Sequence, residues 1–300
     1  MSQATVLGVH GWLPGSLGKS SFWNEPIRAE RVAALRIGIA LVLLWDILFT
    51  YMPLAGDFFG AGSLGSPEVF AGFRPQPRWS LLRGIESPVL LQASLFIWVI
   101  AAVTLLIGFI PRISAAICWA MSISIIGANY YLHNSGDNVR TISLFYLMLT
   151  PCGAAWSFPK QPEPDSKHSP IFVTAWPVRL LLVQLACIYF VNGIYKVTGS
   201  EWRDGNVLQW VLGNLAWTRM SAAQLPLPGF VAQIMTWTVL IWELGFPLLI
   251  MLPWARKYVL WLGVSFHIGT AVTLNLGPFP FYMMCLYLPL VPWEKYFSRK

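Results

Sequence analysis

Long apolar runs, separated by short polar or Gly/Pro-rich segments, set the pattern of this chain. Most runs are long enough to cross the ~30 Å hydrocarbon core of a bilayer as a helix that rises ~1.5 Å per residue. We therefore predict an all-α fold, a polytopic membrane bundle of about eight transmembrane helices. The predicted spans are 32–51, 87–110, 113–132, 139–151, 177–197, 230–252, 258–274 and 279–291.

The segments between and around these spans complete the predicted organisation. Residues 1–30 form a polar N-terminal arm that can rest at the membrane interface, residues 31–295 the transmembrane domain, and residues 296–300 a basic tail. Pro53 and Gly56 are expected to close the first helix, because proline removes a helical hydrogen bond and glycine weakens helices.

Composition agrees with a membrane protein and argues against nucleic-acid binding. Hydrophobic residues make up 56% of the chain and charged residues 11%, with a net charge of +7. Most of the 20 Lys and Arg residues fall on the side of both termini in an eight-span topology. By the positive-inside rule we expect cytoplasmic N and C termini in a bacterial-type inner membrane, and Lys196 on the outer side. The bilayer is the first predicted partner, and no nucleic acid is expected, because the basic residues form no contiguous patch.

Four ionisable residues lie within or at the ends of apolar spans: Asp46, Lys196, Glu243 and His267. Such groups are costly in hydrocarbon, so they usually face a bundle interior or a cavity. For Asp46 we favour a pair that joins helices. Glu243 and His267 lie on consecutive predicted helices and are expected to be neighbours.

Lys196 ends the fifth span, and helical steps of four and seven residues back from it reach Asn192 and Tyr189 on the same face. A lysine at a helix end can simply extend to the lipid headgroups. A desolvated lysine can instead act as a base near neutral pH. The sequence has no HExxH, Walker or nucleophile-elbow motif, and its four cysteines form no CxxC pair. We therefore predict no metal site and no disulfide.

Three motifs carry a resemblance to a known family. They are LHNSGDNVRTISLFYLMLTPCGAAWS, ACIYFVNGIYKVTGSEWRDG and FHIGTAVTLNLGPFPFYMM, in that order. Over about residues 30–295 the chain resembles the HTTM (horizontally transferred transmembrane) family. These proteins are related to the membrane part of vitamin K-dependent gamma-carboxylase.

The resemblance implies a chemistry for the lysine. In the carboxylase, a lysine base deprotonates vitamin K hydroquinone, which reacts with O2 to give an epoxide. The strong base formed on the way removes a proton from the γ carbon of a glutamate, and the carbanion captures CO2. Lys196, which precedes Glu201 and Trp202, matches that catalytic lysine. The implied substrate-binding residues are Tyr189, Asn192, Asn138, Arg140, His267, Glu243 and Trp202, with Glu243 tuning the charge beneath the lysine.

The resemblance also implies a reduced, vitamin K-like quinone as ligand in an outward-opening, aromatic-lined cavity. O2 and CO2 would be co-substrates, and a protein or peptide substrate would bind at the outer face. Three departures from the family pattern weaken the transfer of the carboxylase activity to this chain, and the third of them weighs most against glutamate carboxylation. Tyr195 replaces the first lysine of the family pair, and Gly136 or Asp137 stands at the family histidine, with His133 only nearby. Since the sequence ends at Lys300, we also expect no large soluble domain that engages a protein substrate.

The alternative is a non-catalytic membrane scaffold or binding subunit that retains the fold. Helices packed solidly around Lys196, or a lysine amine held by a carboxylate and facing lipid, would exclude the enzyme interpretation. A transporter is a third interpretation, but the sequence shows no internal repeats or paired broken helices of the kind that transporters use.

Overall fold

The computed structural model describes residues 20–59, 63–64, 79–85, 87–129, 133–159, 170–220 and 224–297. Most of the predicted N-terminal arm (residues 1–19), the end of the third predicted span (130–132) and the tail residues 298–300 lie outside these ranges. The described part is almost entirely helical. Its one two-stranded ribbon pairs β1 (Ile27–Arg28) with β2 (Phe172–Val173) in antiparallel register.

The helices follow the apolar runs. In chain order they are α1 (Ser20–Asn24), α2 (Ala29–Asp46), α3 (Met52–Phe58), α4 (Pro88–Ile107), α5 (Pro111–Ala128), α6 (Ser135–Leu149), α7 (Trp176–Thr198), α8 (Ser200–Arg203), α9 (Val207–Gly213), α10 (Gly229–Leu249), α11 (Pro253–Thr273), α12 (Phe279–Cys285) and α13 (Glu294–Phe297). Five helices in the described ranges are long and apolar enough to cross a membrane: Ala29–Phe58, Pro88–Ile107, Pro111–Ala128, Trp176–Thr198 and Gly229–Leu249. The chain is thus an integral membrane protein.

The first helix continues past the residues expected to end it. A π-helical turn over Ile47–Tyr51 links α2 to α3, so the helix runs through Pro53 and Gly56 to Phe58. A π turn shifts hydrogen bonds from i−4 to i−5 acceptors, and a proline just after it falls in the first turn of α3, where a missing N–H is tolerated. The predicted end at residue 51 was therefore wrong.

The last predicted span, 279–291, also differs from the structure. Helix α12 ends at Cys285, and a 3₁₀ turn over Leu288–Leu290 follows it. Bonds from Leu286 to Met283 and from Tyr287 to Met284 have already tightened the chain to i→i−3 pairing. Pro289 then has no N–H with which to continue an α-helix. Tyr287 lies at this change of geometry.

Two compact units divide the described residues. The first unit, here the lysine unit, comprises those within Met1–Glu25 and Arg179–Tyr287. The second, here the arginine unit, comprises those within Pro26–Val178 and Leu288–Lys300. Each unit contains one cluster of buried ionisable residues.

A buried arginine organises one end of the arginine unit. Arg36, on α2, has no solvent exposure, and its guanidinium donates to the backbone oxygens of Cys152 at 2.7 Å and of Trp156 at 2.5 Å. It reaches a third acceptor, the Ala155 oxygen, at 3.4 Å. Gly108 ends α4 with φ +80°, and a Cβ there would overlap the Arg36 guanidinium. Arg36 thus holds the chain that follows α6.

An ion pair joins the start of α2 to α13 in the same unit. Arg31 Nη2 lies 2.6 Å from Glu294 Oε1. Partial burial by itself would raise the pKa of Glu294, but the hydrogen bond and charge of Arg31, with a contribution from Arg28, outweigh it and hold the pKa below its ordinary value. A depressed carboxyl pKa stabilises the folded state above the unfolded-state pKa, and this stabilisation is lost as the pH falls through the folded-state pKa.

We therefore expect Glu294→Gln to reduce stability at neutral pH by about 1 kcal/mol. The deficit relative to the wild type should shrink as the pH falls from about 5 toward 3, because both proteins then lack the charge. Denaturation in detergent at a series of pH values measures this difference. Asp57→Asn, which removes an exposed carboxylate, serves as control, and a Glu294→Gln deficit that does not change with pH would contradict the assignment.

Candidate functional site

The lysine unit holds a part-buried ion pair between α7 and α10. Lys196 lies in the last turn of α7, and its Nζ donates to Glu243 Oε1 at 2.6 Å. The Glu243 side chain is 4% exposed and that of Lys196 is 20% exposed. The apolar sequences of both helices bury the pair, because the remaining faces carry residues that pack or contact lipid. The sequence predicted both residues for the site, and the structure places them in direct contact.

Two aromatic rings cover the lysine ammonium. Nζ lies 4.5 Å from the ring centre of Trp202, in α8, and 5.8 Å from that of Phe266, in α11. The Lys196 Nζ thus lies between a carboxylate oxygen and the faces of two aromatic rings.

The backbone that carries Trp202 is fixed to α10. Trp237 Nε1 donates to the Arg203 oxygen at 2.9 Å, and Gln233 Nε2 donates to the Asp204 oxygen at 2.8 Å. Gly205, with φ +80°, allows the close approach, because a Cβ there would overlap Gln233. These bonds hold Trp202 in place over the lysine.

Three side chains that are hydrogen-bonded in series lie about two helical turns from Lys196 along α7. The Tyr189 hydroxyl is 2.7 Å from His267 Nε2 and 2.6 Å from the Tyr287 hydroxyl. All three side chains are buried. Lys196 lies seven positions after Tyr189, which corresponds to about 10 Å along the helix, so the trio lies deeper along α7 than the ion pair.

Packing around the trio is aromatic and close. The Tyr189 ring lies 4.5 Å from Trp242 and 4.6 Å from Phe246, measured between ring centres. Gly263 makes room for the Tyr287 hydroxyl, because a Cβ at this position of α11 would overlap it. Trp242 Nε1 is itself bonded to the Val259 oxygen at 3.1 Å. Close packing against aromatic rings thus fixes the positions of the two tyrosine hydroxyls.

The structure brings together five of the eight predicted site residues: Lys196, Glu243, Trp202, Tyr189 and His267. Asn192 does not join them, although it lies only one turn from Lys196. Its side chain is exposed, and its Nδ2 donates to the Ile188 oxygen of its own helix at 2.8 Å. An amide that is bonded to its own backbone has little need of a partner in the site. The predicted ligand-binding role of Asn192 therefore stays a prediction, without a contact to the other site residues in this structure.

Asn138 and Arg140 belong to the arginine unit. Asn138 is exposed, and its Oδ1 lies 3.0 Å from His133 Nε2. Arg140 is fully buried, with Nη1 2.7 Å from Asp46 Oδ2 and Nη2 2.8 Å from Asp137 Oδ1. Lys196 belongs to the lysine unit, so the predicted contribution of Asn138 and Arg140 to the Lys196 site stays a prediction.

The Arg140 cluster is completed by aromatic contacts. Tyr51, the last residue of the π turn, donates to Asp137 Oδ1 at 2.8 Å, and the Arg140 guanidinium lies 5.3 Å from the ring centres of both Tyr51 and Trp98. Asp137 Oδ2 also accepts from the backbone N–H of Asn134, which caps α6. The cluster joins α2, α4 and α6, in agreement with the interpretation of Asp46 as part of a helix-joining pair.

Two cavities stand out in the described ranges, and neither is lined by Lys196. One, of about 620 Å³, lies along α9 and is lined by Gln209, Trp210, Gly213, Asn214, Leu215 and Ala216. The other, of about 40 Å³, lies beside Tyr51 and Asn134. Two aromatic rings lie beside Lys196, and its amine is bonded to Glu243, so the predicted ligand cavity at this lysine stays a prediction.

Sequence reasoning missed Phe266 and Tyr287. Both lie in apolar, aromatic-rich stretches, where a ring is normally assigned to packing or to the interface. A signal for Tyr287 was available on α11, where Gly263 and His267 share a face four residues apart. A glycine one turn before a buried histidine indicates that a large group approaches there.

Comparison with known proteins gives one match. The family model described as the HTTM domain matches residues 24–293, which is most of the chain. No curated protein and no solved structure matches the chain.

Proposed function

Because the chain belongs to the HTTM family, we propose that it binds a reduced quinone or a similar lipophilic ligand and uses Lys196 as a base for its oxygenation. The family makes it a membrane protein related to the membrane domain of the carboxylase. The observation that carries the proposal is the part-buried Lys196–Glu243 pair beneath Trp202 and Phe266. It is an acid–base pair in an aromatic enclosure, on the lysine that matches the family base.

The proposed chemistry begins with a proton transfer inside the pair. As a ligand displaces water from the site, the lower dielectric favours the neutral amine and carboxylic acid over the ion pair, so the proton moves from Lys196 Nζ to Glu243. The free amine then takes the proton of a ligand hydroxyl and leaves a phenolate. Reaction of that phenolate with O2, as the family relation suggests, would place one oxygen atom in the epoxide and release the other as hydroxide. The hydroxide takes the proton now held by Lys196 and leaves as water, so the two electrons come from the hydroquinone.

Glutamate carboxylation is a further, less direct part of the proposal. It would need CO2 and a protein or peptide substrate at the outer face. In the proposed topology the chain crosses a bacterial-type inner membrane about eight times, with both termini cytoplasmic and Lys196 near the outer surface. The support is the excess of basic residues on the side of the termini.

Lys196→Ala tests the proposal. With the purified protein and a reduced naphthoquinone, we expect O2 consumption and epoxide formation to fall at least about 100-fold, the usual contribution of a positioned general base. Lys257→Ala, at an exposed lysine of α11, should keep the wild-type rate. Partial rescue of Lys196→Ala by a small primary amine would indicate that the lost group is the base.

Wild-type turnover by a folded Lys196→Ala protein would exclude the base role. Thermal unfolding of both lysine variants reports whether they fold. Native mass spectrometry of the detergent-purified protein should detect a co-purifying quinone in the wild type and less of it in Lys196→Ala.

A specific observation also favours the alternative of a non-catalytic scaffold. Glu243 holds the lysine amine, and neither observed cavity includes it. In that case the pair would serve to join α7 to α10. The wild type would then show no quinol-dependent O2 uptake, and Lys196→Met with Glu243→Met would retain wild-type stability, because buried ion pairs can be replaced by apolar residues at little cost.

A further inference from the structure

Two buried polar atoms near the centre of the lysine unit have no hydrogen-bond partner among the described residues. They are Glu243 Oε2 and His267 Nδ1, on neighbouring helices α10 and α11. Both residues are at most 3% exposed. Nearly all buried polar side-chain atoms in proteins are paired, with protein or with another molecule. These two atoms therefore mark positions for groups that the chain itself does not supply.

The series Tyr287–Tyr189–His267 has one more donor proton than it has hydrogen bonds. Burial disfavours the imidazolium, so neutral His267 carries one N–H, and Tyr189 and Tyr287 each carry one O–H. Three donor protons are thus available for the two hydrogen bonds of the trio. One donor must point to an acceptor outside the trio.

The count of unpaired atoms selects which donor it is. If Tyr287 donates to Tyr189 and Tyr189 donates to His267 Nε2, then only Nδ1–H is unpaired. If the chain runs in the opposite direction, the Tyr287 O–H and the bare Nδ1 are both unpaired. Each unpaired buried polar group costs roughly 1–3 kcal/mol, so the first direction is favoured.

We infer that Tyr287 and Tyr189 hold His267 as its Nδ1–H tautomer, so that His267 Nδ1 donates and Glu243 Oε2 accepts in a subsite for a ligand hydroxyl. A hydroxyl is the one simple group that can accept a hydrogen bond and donate another. Tyr287 is then a positioning residue that acts through Tyr189. His267 and Glu243 are the residues that contact the ligand.

The subsite discriminates between redox states of a quinone, a consequence that rests on the proposed function. The hydroxyl of a hydroquinone can satisfy both atoms. The carbonyl of the oxidised quinone can only accept, so it leaves the Glu243 oxygen unpaired. The reduced form should bind about tenfold more tightly or better, as expected when a buried acceptor gains a hydrogen bond that it otherwise lacks.

The tautomer is tested in the ligand-free protein, without any assumption about activity. ¹⁵N NMR of histidine-labelled protein in lipid nanodiscs distinguishes protonated from bare ring nitrogens. The chain has four histidines, so the His267 signals are assigned by their loss in His267→Gln. We expect a protonated Nδ1 and a bare Nε2 in the wild type.

Tyr189→Phe provides the second arm of this experiment. Without the Tyr189 hydroxyl, the preference for Nδ1–H should be reduced, whereas Tyr258→Phe, at an exposed tyrosine of α11, should leave it unchanged. A wild-type His267 protonated on Nε2, or an unchanged tautomer in Tyr189→Phe, would overturn the inference.

The ligand half is tested with menadiol and menadione under anaerobic conditions, by calorimetry in detergent. The wild type should prefer menadiol. In Glu243→Gln the amide oxygen should face Lys196 and its NH2 should replace Oε2, which turns the acceptor into a donor. The preference for menadiol should then vanish or reverse.

Each negative result of these experiments would contradict a different part of the proposal. Equal affinities in the wild type that do not change in Glu243→Gln would overturn the hydroxyl subsite. Absence of binding by either compound would contradict the proposed quinone ligand, and the NMR result would still decide between the two tautomers of His267.

Discussion

Asp46→Ala is expected to lower the free energy of unfolding by about 3–5 kcal/mol, the usual effect of removing one partner of a buried ion pair. Asp46 is 1% exposed, and Arg140 Nη1 lies 2.7 Å from its Oδ2. After the substitution, the Arg140 charge would keep Asp137 but lose the carboxylate from α2. Since that carboxylate joins α2 to α6, we also expect the two helices to separate at lower denaturant concentration.

Denaturation in detergent, followed by near-UV circular dichroism, measures this change. Asp57→Ala removes an exposed carboxylate of the same continuous helix and should change stability by less than about 0.5 kcal/mol. Asp46→Asn keeps the volume and a hydrogen-bonding oxygen, so its effect should fall between the two. Equal stability of Asp46→Ala and Asp57→Ala would show that the pair with Arg140 contributes nothing.

Arg36→Met is expected to cost a similar amount, about 3–5 kcal/mol, for a different reason. Methionine can replace much of the buried volume, but it leaves the oxygens of Cys152, Ala155 and Trp156 without their donor. A buried acceptor such as the Cys152 oxygen costs roughly 1–3 kcal/mol when it loses a hydrogen bond, and the part-buried oxygens of Ala155 and Trp156 add to this. The segment after α6 should therefore open before the rest of the unit.

Hydrogen exchange monitored by mass spectrometry can locate that opening. In Arg36→Met, the amides of residues 150–157 should exchange faster than in the wild type, while those in the middle of α4 remain protected. Arg112→Met is the matched control, since Arg112 is exposed and its Nε donates to the Thr150 oxygen rather than to the three oxygens that Arg36 binds. Similar exchange in the two variants would contradict the role assigned to Arg36.

The sequence identified the chemistry of the lysine unit better than its geometry. Lys196, Glu243 and His267 were visible because charged or titratable groups in apolar helices are rare. Their contacts were not, because periodicity places a residue on a face of its own helix but does not set the register between helices. The Lys196–Glu243 bond depends on that register.

Asn192 and Tyr287 also show that a sequence pattern does not reveal side-chain contacts: Asn192 was predicted for the site and does not contact it, whereas Tyr287 contacts it and was not predicted. Asn192 shares a helical face with Lys196, but an amide can bond to the preceding turn of its own helix, and here it does. Tyr287 follows a helix that ends early, so the 3₁₀ geometry, which an apolar pattern does not reveal, decides where its hydroxyl points. Arg140 and Asn138 were grouped with Lys196 by motif alone.

The π turn at Ile47–Tyr51 also affects how this chain should be aligned with other HTTM sequences. A π turn contains one residue more than the α turn that it replaces, so the residues on either side of it follow registers that differ by one position. A relative with an uninterrupted α-helix here would match Asp46 and Tyr51 only across a one-residue gap. An ungapped alignment would pair Tyr51 with a side chain rotated by about 100° around the helix.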